Sequence, residues 1–363
     1  MATIEPMPNN KSNSVNLTFL GDIAFSDRFQ ELLEAGADPF AEVKPLLKNA
    51  DGVVGNLEVV AFGLAQNMLK RPRIGTSLKA LDELKNLHLN LVSLATNHFY
   101  DNLEEGFLNT VNKLNELGIQ HVGSDLDSVK AKQPVVLEIK GWRFGFVNFV
   151  HEDTHPSLPE DASVHTNFFE LEEVVSQIKE LKPKVDRVIA LLHWGGKTDY
   201  GYLPHKEQLE QAKRIIEAGA DAIVGCHTHT FQTHEVISGK PVFYSLGNFC
   251  FSDIHCDGGV YTVRDSGKKG GLLNLSFYED GRVEHRVDPI CNQDNRIILK
   301  PTLAKEYRCW QRYFKFTKLL PGGFELYYWG LKRMEPIFYY SQLNSISVPQ
   351  IAINKLKKLL RLK

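Results

Sequence analysis

Short apolar runs that end abruptly at polar residues constrain the fold of this chain more than any other feature of its sequence. Residues 222–224 form one such run, which is followed by Cys-His-Thr-His at residues 226–229. Residues 242–244 form another, which also gives way to polar residues. Such runs are typical of buried strands, and in α/β folds the carboxyl ends of these strands meet at a sheet edge where ligands bind. We therefore expect a site here, with His227 and His229 as candidate metal ligands.

The same pattern occurs at four other places along the chain. The apolar runs at residues 16–20, 52–54, 89–95 and 187–192 also end beside an acid, an amide or a histidine. This repetition matters because a single His-x-His spacing arises often by chance. The polar residues at the six strand ends are Asp22, Glu58, Asn97 with His98, His193, the pair His227 and His229, and Asn248.

The donor atoms at these strand ends fit two metal ions better than one. Two carboxylates, one amide oxygen and three imidazoles, counted without His98, exceed what a single zinc ion with an open position needs. They suit two divalent ions that share a bridging carboxylate, and manganese, iron and zinc all accept such ligands. Two ions roughly 3.5–4 Å apart can activate a water molecule as hydroxide for an in-line displacement. The expected cofactors are therefore two divalent metal ions.

Asp22 can also be interpreted as a helix-capping residue. A carboxylate after a strand and a glycine can cap the helix that follows, and the sequence places a helix around residues 28–34. The residue type alone does not separate a capping role from metal ligation.

His98 is the one histidine of the set that we do not assign to a metal ion. It follows the candidate ligand Asn97 directly, and we expect its imidazole to face the substrate. There it would act as the general acid that protonates the leaving oxygen, a role that contributes roughly 10²–10⁴ in rate. Asp101, three residues further along, is the second candidate catalytic residue.

Candidate substrate contacts come from a basic loop and from the last strand end. Lys70, Arg71 and Arg73 lie between Glu58 and the third predicted strand. They are either a solvated surface turn or a cluster that binds an anionic substrate, and their spacing leaves both interpretations open. Asn248 is the fourth candidate substrate-binding residue.

Composition excludes several classes of protein. The chain has 363 residues, of which 43% are hydrophobic and 24% charged, as in an ordinary soluble protein. A net charge of −2 argues against a nucleic-acid partner. The sequence offers no signal-peptide core and no apolar run of membrane-spanning length. Five cysteines without a Cys-x-x-Cys motif indicate reduced thiols and a cytoplasmic location.

The sequence divides into a flexible lead at residues 1–14, a main domain at residues 15–295 and an aromatic, basic helical extension at residues 300–363. Twelve of the 34 residues from 307 to 340 are aromatic, and the last 13 residues carry five basic side chains and no acid. The extension either docks on the main domain through its aromatic faces or attaches peripherally to an anionic membrane, an envelope-assembly partner or a glycan.

As an ordered set, the motifs resemble the poly-γ-glutamate capsule-biosynthesis family, the CapA-like proteins. The resemblance covers residues 16–290. It rests on Gly21-Asp22, Gly55-Asn-Leu-Glu58, Ala95-Thr-Asn-His98 with Asp101, His193-Trp-Gly, residues 218–229, and Tyr244-Ser-Leu-Gly-Asn-Phe249. That family is similar to calcineurin-like metallophosphoesterases, which implies an α/β fold with a four-layer α/β/β/α sandwich. It also implies a two-metal site with the ligands Asp22, Glu58, Asn97, His193, His227 and His229, and with His98 as the catalytic imidazole.

The sequence departs from the family pattern at several positions. Metallophosphoesterases usually place a histidine two residues after the first aspartate, where this chain has Ala24, so one metal site has a ligand fewer. Glu58 stands where metallophosphoesterases usually have a bridging aspartate, as it does across the CapA-like branch. Lys197 occupies the acidic position of the His-Trp-Gly-x-Glu-Tyr motif, and Asp199 follows two residues later. Cys226 stands where a histidine is frequent, and we interpret it as a small buried neighbour of the metals.

The resemblance implies a metal-dependent hydrolase of the phosphoesterase type that acts in capsule or exopolymer biosynthesis, on poly-γ-glutamate or a polysaccharide. The expected partner is an anionic polymer or phosphoester substrate. Two alternatives remain open: a non-hydrolytic polymer-binding component of a membrane-associated assembly complex, and a hydrolase of γ-glutamyl amide bonds.

Overall fold

The computed structural model describes residues 12–63, 74–156, 158–256 and 259–344 of the chain. Most of the predicted lead, residues 1–11, and the end of the predicted extension, residues 345–363, lie outside these ranges.

Within these ranges the strands form two large sheets and three short pairs, and they are numbered here along the chain. The first sheet contains β1 (Ser14–Ile23), β2 (Gly52–Leu57), β5 (Leu89–Ser93), β6 (Gln120–Val122), β15 (Asn248–Cys250), β18 (Lys269–Tyr278), β19 (Val283–Gln293) and β20 (Arg296–Leu299). The second contains β8 (Val135–Ile139), β9 (Trp142–Val150), β11 (Arg187–His193), β12 (Ala222–Cys226), β13 (His234–Ile237) and β14 (Lys240–Phe243). The short pairs are β3 (Val60–Ala61) with β4 (Gly75–Thr76), β7 (Ser124–Asp125) with β10 (His165–Thr166), and β16 (Ile254–Cys256) with β17 (Gly259–Tyr261).

Helices connect the strands and cover the outer faces of the sheets. They are α1 (Arg28–Glu34), α2 (Lys44–Lys48), α3 (Leu78–Leu81), α4 (Glu83–Asn86), α5 (Leu103–Leu117), α6 (Ser128–Lys132), α7 (Leu171–Leu181), α8 (Lys206–Glu217), α9 (Leu303–Leu319) and α10 (Gly323–Asn344).

Parallel pairing brings the carboxyl ends of the central strands to the same edge of each sheet. The first sheet has the order β20-β19-β18-β1-β2-β5-β6, with β15 pairing β1 off this path, and β1, β2, β5 and β6 run parallel. The second has the order β13-β14-β12-β11-β9-β8, in which β9, β11, β12 and β14 run parallel. Because parallel strands are buried on both faces, their sequences are apolar up to the point where they end.

The two sheets pack face to face around a common apolar core. Phe19, Val54 and Phe277 of the first sheet meet Phe144 and Leu191 of the second. The rings of Phe144 and Phe277 pack edge to face with centroids 5.2 Å apart. A second core lies between the first sheet and helices that include α5, and a third lies between the second sheet and helices that include α8. The predicted four-layer α/β/β/α sandwich is therefore confirmed.

Helices α9 and α10 pack on the main body through aromatic side chains. Phe314 and Phe324 are buried in the same core as α8 and the second sheet. Trp310 stacks on Tyr202 with ring centroids 4.2 Å apart. Other apolar side chains of the pair face outward, and Leu319 is 81% exposed. In the described part of the chain, no helix combines the length and the apolar character that crossing a bilayer requires.

Local patterns predicted a hairpin and a helix correctly, while several edge strands were missed. The Lys-Gly pair at residues 140–141 predicts a hairpin over residues 134–150. This hairpin is confirmed as β8 and β9, with positive φ at Lys140 and Gly141. The sequence also predicts a helix over residues 103–117 that ends at Gly118. It is confirmed as α5, and Gly118 has the left-handed conformation of a helix-ending residue. The edge strands β6, β13 and β20 were not predicted, because strands of three or four residues are recognisable only through their pairing, as β20 is through its pairing with β19.

His234 is a neutral histidine held between the second sheet and α9. Its ring stacks on Phe243 with centroids 4.6 Å apart, and its backbone N–H donates to Gln311 Oε1 at 3.1 Å. Burial, helped by the nearby His285 and Lys315, lowers the pKa of His234 to about 4.

Acidification should therefore destabilise the fold through His234. Between pH 7 and 4.5 His234 becomes protonated in the unfolded chain, where its pKa is about 6.5. In the folded protein, where its pKa is about 4, it stays largely neutral. The free energy of unfolding should fall by about 2–3 kcal/mol from this group alone. Urea unfolding with chelator at both pH values would show this loss in the wild type and a smaller one in His234→Phe. If the free energy of unfolding changed equally with pH in the wild type and in His234→Phe, His234 would not be the group responsible.

Candidate metal centre

The predicted ligands lie together where the two sheets meet at the carboxyl ends of their parallel strands. Asp22 lies in β1 of the first sheet, and His227 follows β12 of the second. The backbone N–H of His227 approaches Asp22 Oδ2 at 3.2 Å and Oδ1 at 3.4 Å, which joins the two sheets at this point. His227 and His229 have positive φ values of 100° and 54°, a strained conformation that recurs at functional sites.

An irregularity in β1 directs Asp22 into the centre. The register with β2 passes from Leu20 opposite Gly55 to Asp22 opposite Asn56, so Gly21 forms a bulge. A Cβ at Gly21 would lie 1.8 Å from the carbonyl oxygen of Gly247, so only glycine fits there. The helix-capping interpretation of Asp22 is wrong, because Asp22 lies within the strand and Asp27 precedes α1.

Two groups of three side chains are arranged closely enough to hold a metal ion each. Among the described residues, Asp22, Glu58 and His229 form one group, and Glu58, His193 and His227 form the other. Within each group one donor atom per residue lies within 4.8 Å of the others. Glu58 belongs to both groups, which is the position of a bridging carboxylate.

Asn97 lies beside the second group. The Nε2 atom of His193 lies 2.9 Å from Asn97 Oδ1, 3.2 Å from His227 Nδ1 and 3.6 Å from Glu58 Oε1. One ring nitrogen carries either a proton or a lone pair, so it cannot satisfy all of these neighbours by hydrogen bonding. Donor atoms that converge on each other in this way fit a divalent ion with mixed oxygen and nitrogen ligands.

Burial shifts the pKa values of the converging groups in opposite directions. Burial raises the pKa of the Asp22 carboxyl to about 6, although the nearby His227 opposes the shift. Burial and the proximity of His227 lower the pKa of His229 to about 4, so this imidazole is neutral at pH 7, the form that binds metals. Buried ionisable groups are stabilised when they are paired or coordinate a metal, which again fits divalent ions here.

Asn248 lies against His229. Its Nδ2 donates to the carbonyl oxygen of Gly267 at 2.9 Å, so its Oδ1, 2.9 Å from His229 Nδ1, accepts from that nitrogen. This hydrogen bond places the ring proton on Nδ1, which also lies 3.8 Å from Asp22 Oδ2, and leaves Nε2 unprotonated. Asn248 was predicted from the sequence as a candidate substrate-binding residue. Its contact with His229 instead favours a role in orienting that imidazole.

His98 and Asp101 form a hydrogen-bonded pair beside the two groups. His98 Nδ1 lies 2.6 Å from Asp101 Oδ2, and the same oxygen accepts the backbone N–H of Ile74 at 3.1 Å. The Asp101 side chain is 1% exposed and that of His98 is 12% exposed. Asp101 therefore fixes the orientation of His98 from within the protein, and Nε2 is the ring nitrogen of His98 that remains for a substrate.

Asn56 belongs to the candidate metal centre but was not predicted from the sequence. Its Nδ2 donates to Asp22 Oδ1 at 2.8 Å and lies 3.3 Å from His193 Nδ1, so it contacts one candidate ligand from each sheet. Its Oδ1 accepts from Ser93 Oγ at 2.8 Å. Asn56 lies inside a motif that carried the resemblance, but only the β1 bulge reveals its contact with Asp22.

The structure also places the residues at which the sequence departs from the family pattern. Asp199 Oδ1 lies 3.2 Å from His227 Nε2. Lys197 instead pairs with Glu207 on α8 at 2.5 Å, away from this contact. Cys226 is buried beside Asp22, and burial raises the pKa of its thiol well above the usual range, which fits a neutral neighbour. Of the predicted substrate contacts, Lys70, Arg71 and Arg73 lie outside the described residues.

Comparisons with known proteins agree with this arrangement of motifs. The family described as "Bacterial capsule synthesis protein PGA_cap" matches residues 16–253. The capsule biosynthesis protein CapA of Bacillus anthracis is 29% identical over 301 residues, which is 80% of this chain and 71% of that protein. The PGA biosynthesis protein CapA of Bacillus subtilis strain 168 is 27% identical over 290 residues, which is 76% of this chain and 71% of that protein.

A solved structure overlaps much of the fold at low similarity. The 5'-nucleotidase precursor of Thermus thermophilus aligns with 84% of this chain and 60% of its own, at 17% identity and a TM-score of 0.43. The four-layer architecture is established by the sheets and helices themselves.

Proposed function

Because the chain belongs to the family of bacterial capsule synthesis proteins, we propose that it is a metal-dependent hydrolase of the phosphoesterase type acting on an anionic substrate. The observation that carries this proposal is the pair of ligand groups that share Glu58, with His98 close enough to His229 to help lower the pKa of that imidazole. Two divalent ions held at these groups would supply Lewis-acid activation of a water molecule at neutral pH.

The protein's own residues have distinct roles in this proposal. One metal ion would be held by Asp22, Glu58 and His229. This side of the centre has one ligand fewer, because Ala24 stands where a histidine is usual. The other ion would be held by Glu58, Asn97, His193 and His227. With four ligands instead of three, this side should bind its ion more tightly than the first.

We assign proton transfer to the pair formed by His98 and Asp101. Asp101 accepts from Nδ1 of His98, keeps the ring in one orientation and stabilises its charged form. His98 can then donate its Nε2 proton to the leaving oxygen as the bond to that oxygen breaks.

For the substrate we propose a capsule polymer or a phosphoester precursor of one. The two Bacillus relatives are named for capsule and PGA biosynthesis, which supports an anionic polymer. Lys70, Arg71 and Arg73 are the proposed contacts to its charged groups. We propose that the reaction takes place in the cytoplasm, and that the outward-facing apolar side chains of α9 and α10, such as Leu319, allow peripheral attachment to a membrane or an envelope-assembly partner.

A polymer-binding component without hydrolytic activity is the second candidate function. It is favoured by the naming of the relatives for biosynthesis and by the same outward-facing side chains of α9 and α10. A γ-glutamyl amide hydrolase would use the same centre on a different bond.

One experiment separates these functions. Metal content is measured by elemental analysis, and turnover is followed on p-nitrophenyl phosphate, its bis-ester and γ-glutamyl p-nitroanilide with manganese, zinc or iron added. We expect about two metals per chain and ester turnover that a chelator removes and added metal restores. Turnover of the anilide alone would support the amide hydrolase. Protein that binds metal and turns over none of the three would support the binding component.

A further inference from the structure

Residues 199–204, here called the bridging loop, connect the candidate metal centre with the C-terminal helices. Asp199 Oδ1 lies 3.2 Å from His227 Nε2. The next residue, Tyr200, stacks its ring on His229 with centroids 5.7 Å apart, and its backbone N–H donates to the carbonyl oxygen of Thr228 at 2.9 Å. Two consecutive residues of the bridging loop therefore contact both histidines that follow β12.

The other end of the bridging loop is held by α10. The hydroxyl oxygen of Tyr327 accepts the backbone N–H groups of Tyr202 at 2.7 Å and Leu203 at 3.3 Å. The hydroxyl of Tyr328 donates to the carbonyl oxygen of Pro204 at 2.6 Å. Backbone groups of three consecutive loop residues are thus bound by two adjacent tyrosines.

Helix α9 adds contacts to the same loop. The ring of Tyr202 stacks on Trp310 with an interplanar angle of 10°, and its hydroxyl donates to Glu306 Oε1 at 3.2 Å. At Gly201 an added Cβ would lie 3.0 Å from both the Tyr327 hydroxyl and Leu331 Cδ2, which shows how closely α10 approaches the loop backbone.

The bridging loop needs such support because its own conformation is strained. Tyr200 has a φ of 58°, a left-handed conformation that an aromatic residue rarely adopts. The Asp199 side chain is 39% exposed, so a loosened loop would let its carboxylate turn towards water.

We propose that Asp199 is a positioning residue for His227, and that the C-terminal helices hold it in place by clamping the bridging loop. The inference rests on the metal centre proposed above. A carboxylate 3.2 Å from Nε2 favours the tautomer that carries its proton on Nε2 and leaves Nδ1 unprotonated, and Nδ1 is the atom that faces His193 at 3.2 Å. Asp199 thereby supplies the acid that is missing at Lys197. The aromatic extension becomes part of the machinery that shapes the metal centre.

The test uses Co²⁺ as the probe and compares four variants of the full chain with the wild type. Asp199→Ala removes the acceptor, whereas Asp199→Asn retains an oxygen that can accept from Nε2–H. Tyr327→Phe removes the hydroxyl that binds two loop N–H groups. Trp329→Ala, on the same helix, is the matched control because Trp329 is 56% exposed. Co²⁺ titrations followed by visible absorption give affinity and ligand geometry, and metal-free melting temperatures report folding.

We expect Asp199→Ala to weaken Co²⁺ binding about 10- to 100-fold and to alter the visible spectrum, with partial recovery in Asp199→Asn. Tyr327→Phe should weaken binding about threefold to tenfold, and Trp329→Ala should match the wild type. If Tyr327→Phe does not fold, Tyr328→Phe, which removes one contact with Pro204, takes its place.

The outcomes that overturn the inference are separable from failure of the proposed function. Wild-type affinity and spectrum in Asp199→Ala would refute the positioning role. Weakened binding in Asp199→Ala together with wild-type affinity in the tyrosine variants would refute the clamp. A wild-type protein that binds no Co²⁺ would refute the metal centre itself, and the inference with it.

Discussion

Replacing Glu58 by glutamine is expected to empty both halves of the metal centre, whereas replacing Asp22 by asparagine should empty only one. Glu58 is fully buried and belongs to both ligand groups, and Asp22 belongs to the first group alone. An amide has the size of the carboxylate but lacks the charge that a bridging ligand contributes. Hydrolysis should fall at least about a thousandfold in both variants, because activation of water by two metals requires both ions.

Elemental analysis after dialysis distinguishes the two variants. We expect about two ions per chain in the wild type, about one in Asp22→Asn and almost none in Glu58→Gln. Glu83→Gln is the matched control, since Glu83 is another buried glutamate and pairs with Lys44 at 2.8 Å. The control should keep its metal and its activity. Retention of one ion by Glu58→Gln would show that this carboxylate does not bridge.

The sequence predicted the strand ends well because their position depends on local pattern. An apolar run that stops at a histidine or an acid predicts both a strand and the residue at which the strand ends. Parallel pairing then brings the carboxyl ends of such strands to the same edge of the sheet. His193 is the last residue of β11 and His227 follows the neighbouring strand β12, and their ring nitrogens lie 3.2 Å apart. Gly118 was predictable for the same reason, since a helix end leaves a local signal.

The supporting residues could not be predicted, because their roles depend on contacts distant in sequence. Asn56 reaches Asp22 only through the bulge at Gly21, and a bulge leaves no reliable pattern in a single sequence. Asp199 lies 28 positions before His227 in the sequence, yet a strained loop brings the two side chains together. The docking of α9 through Trp310 was one of two open alternatives, since an aromatic helix face suits either a protein surface or a membrane.

Replacing His98 by asparagine is expected to leave metal content unchanged and to slow hydrolysis by roughly 10²–10⁴. His98 belongs to neither ligand group, and its Nδ1 is engaged by Asp101 at 2.6 Å. Asparagine cannot donate a proton to the leaving oxygen. The loss should depend on the substrate, because p-nitrophenolate leaves readily without protonation, whereas an alkoxide does not.

The comparison that tests this role uses two phosphoesters that differ in their leaving group. His98→Asn should be slowed far more on a methyl ester than on the p-nitrophenyl ester, and Asp101→Asn should show the same order with a smaller loss. His88→Asn is the matched control: His88 is exposed just before β5, at the opposite end of that strand from Asn97, and its φ of 58° is one that asparagine tolerates. Equal losses on both esters would mean that His98 binds the substrate without protonating it. Loss of metal from His98→Asn would instead make His98 a ligand.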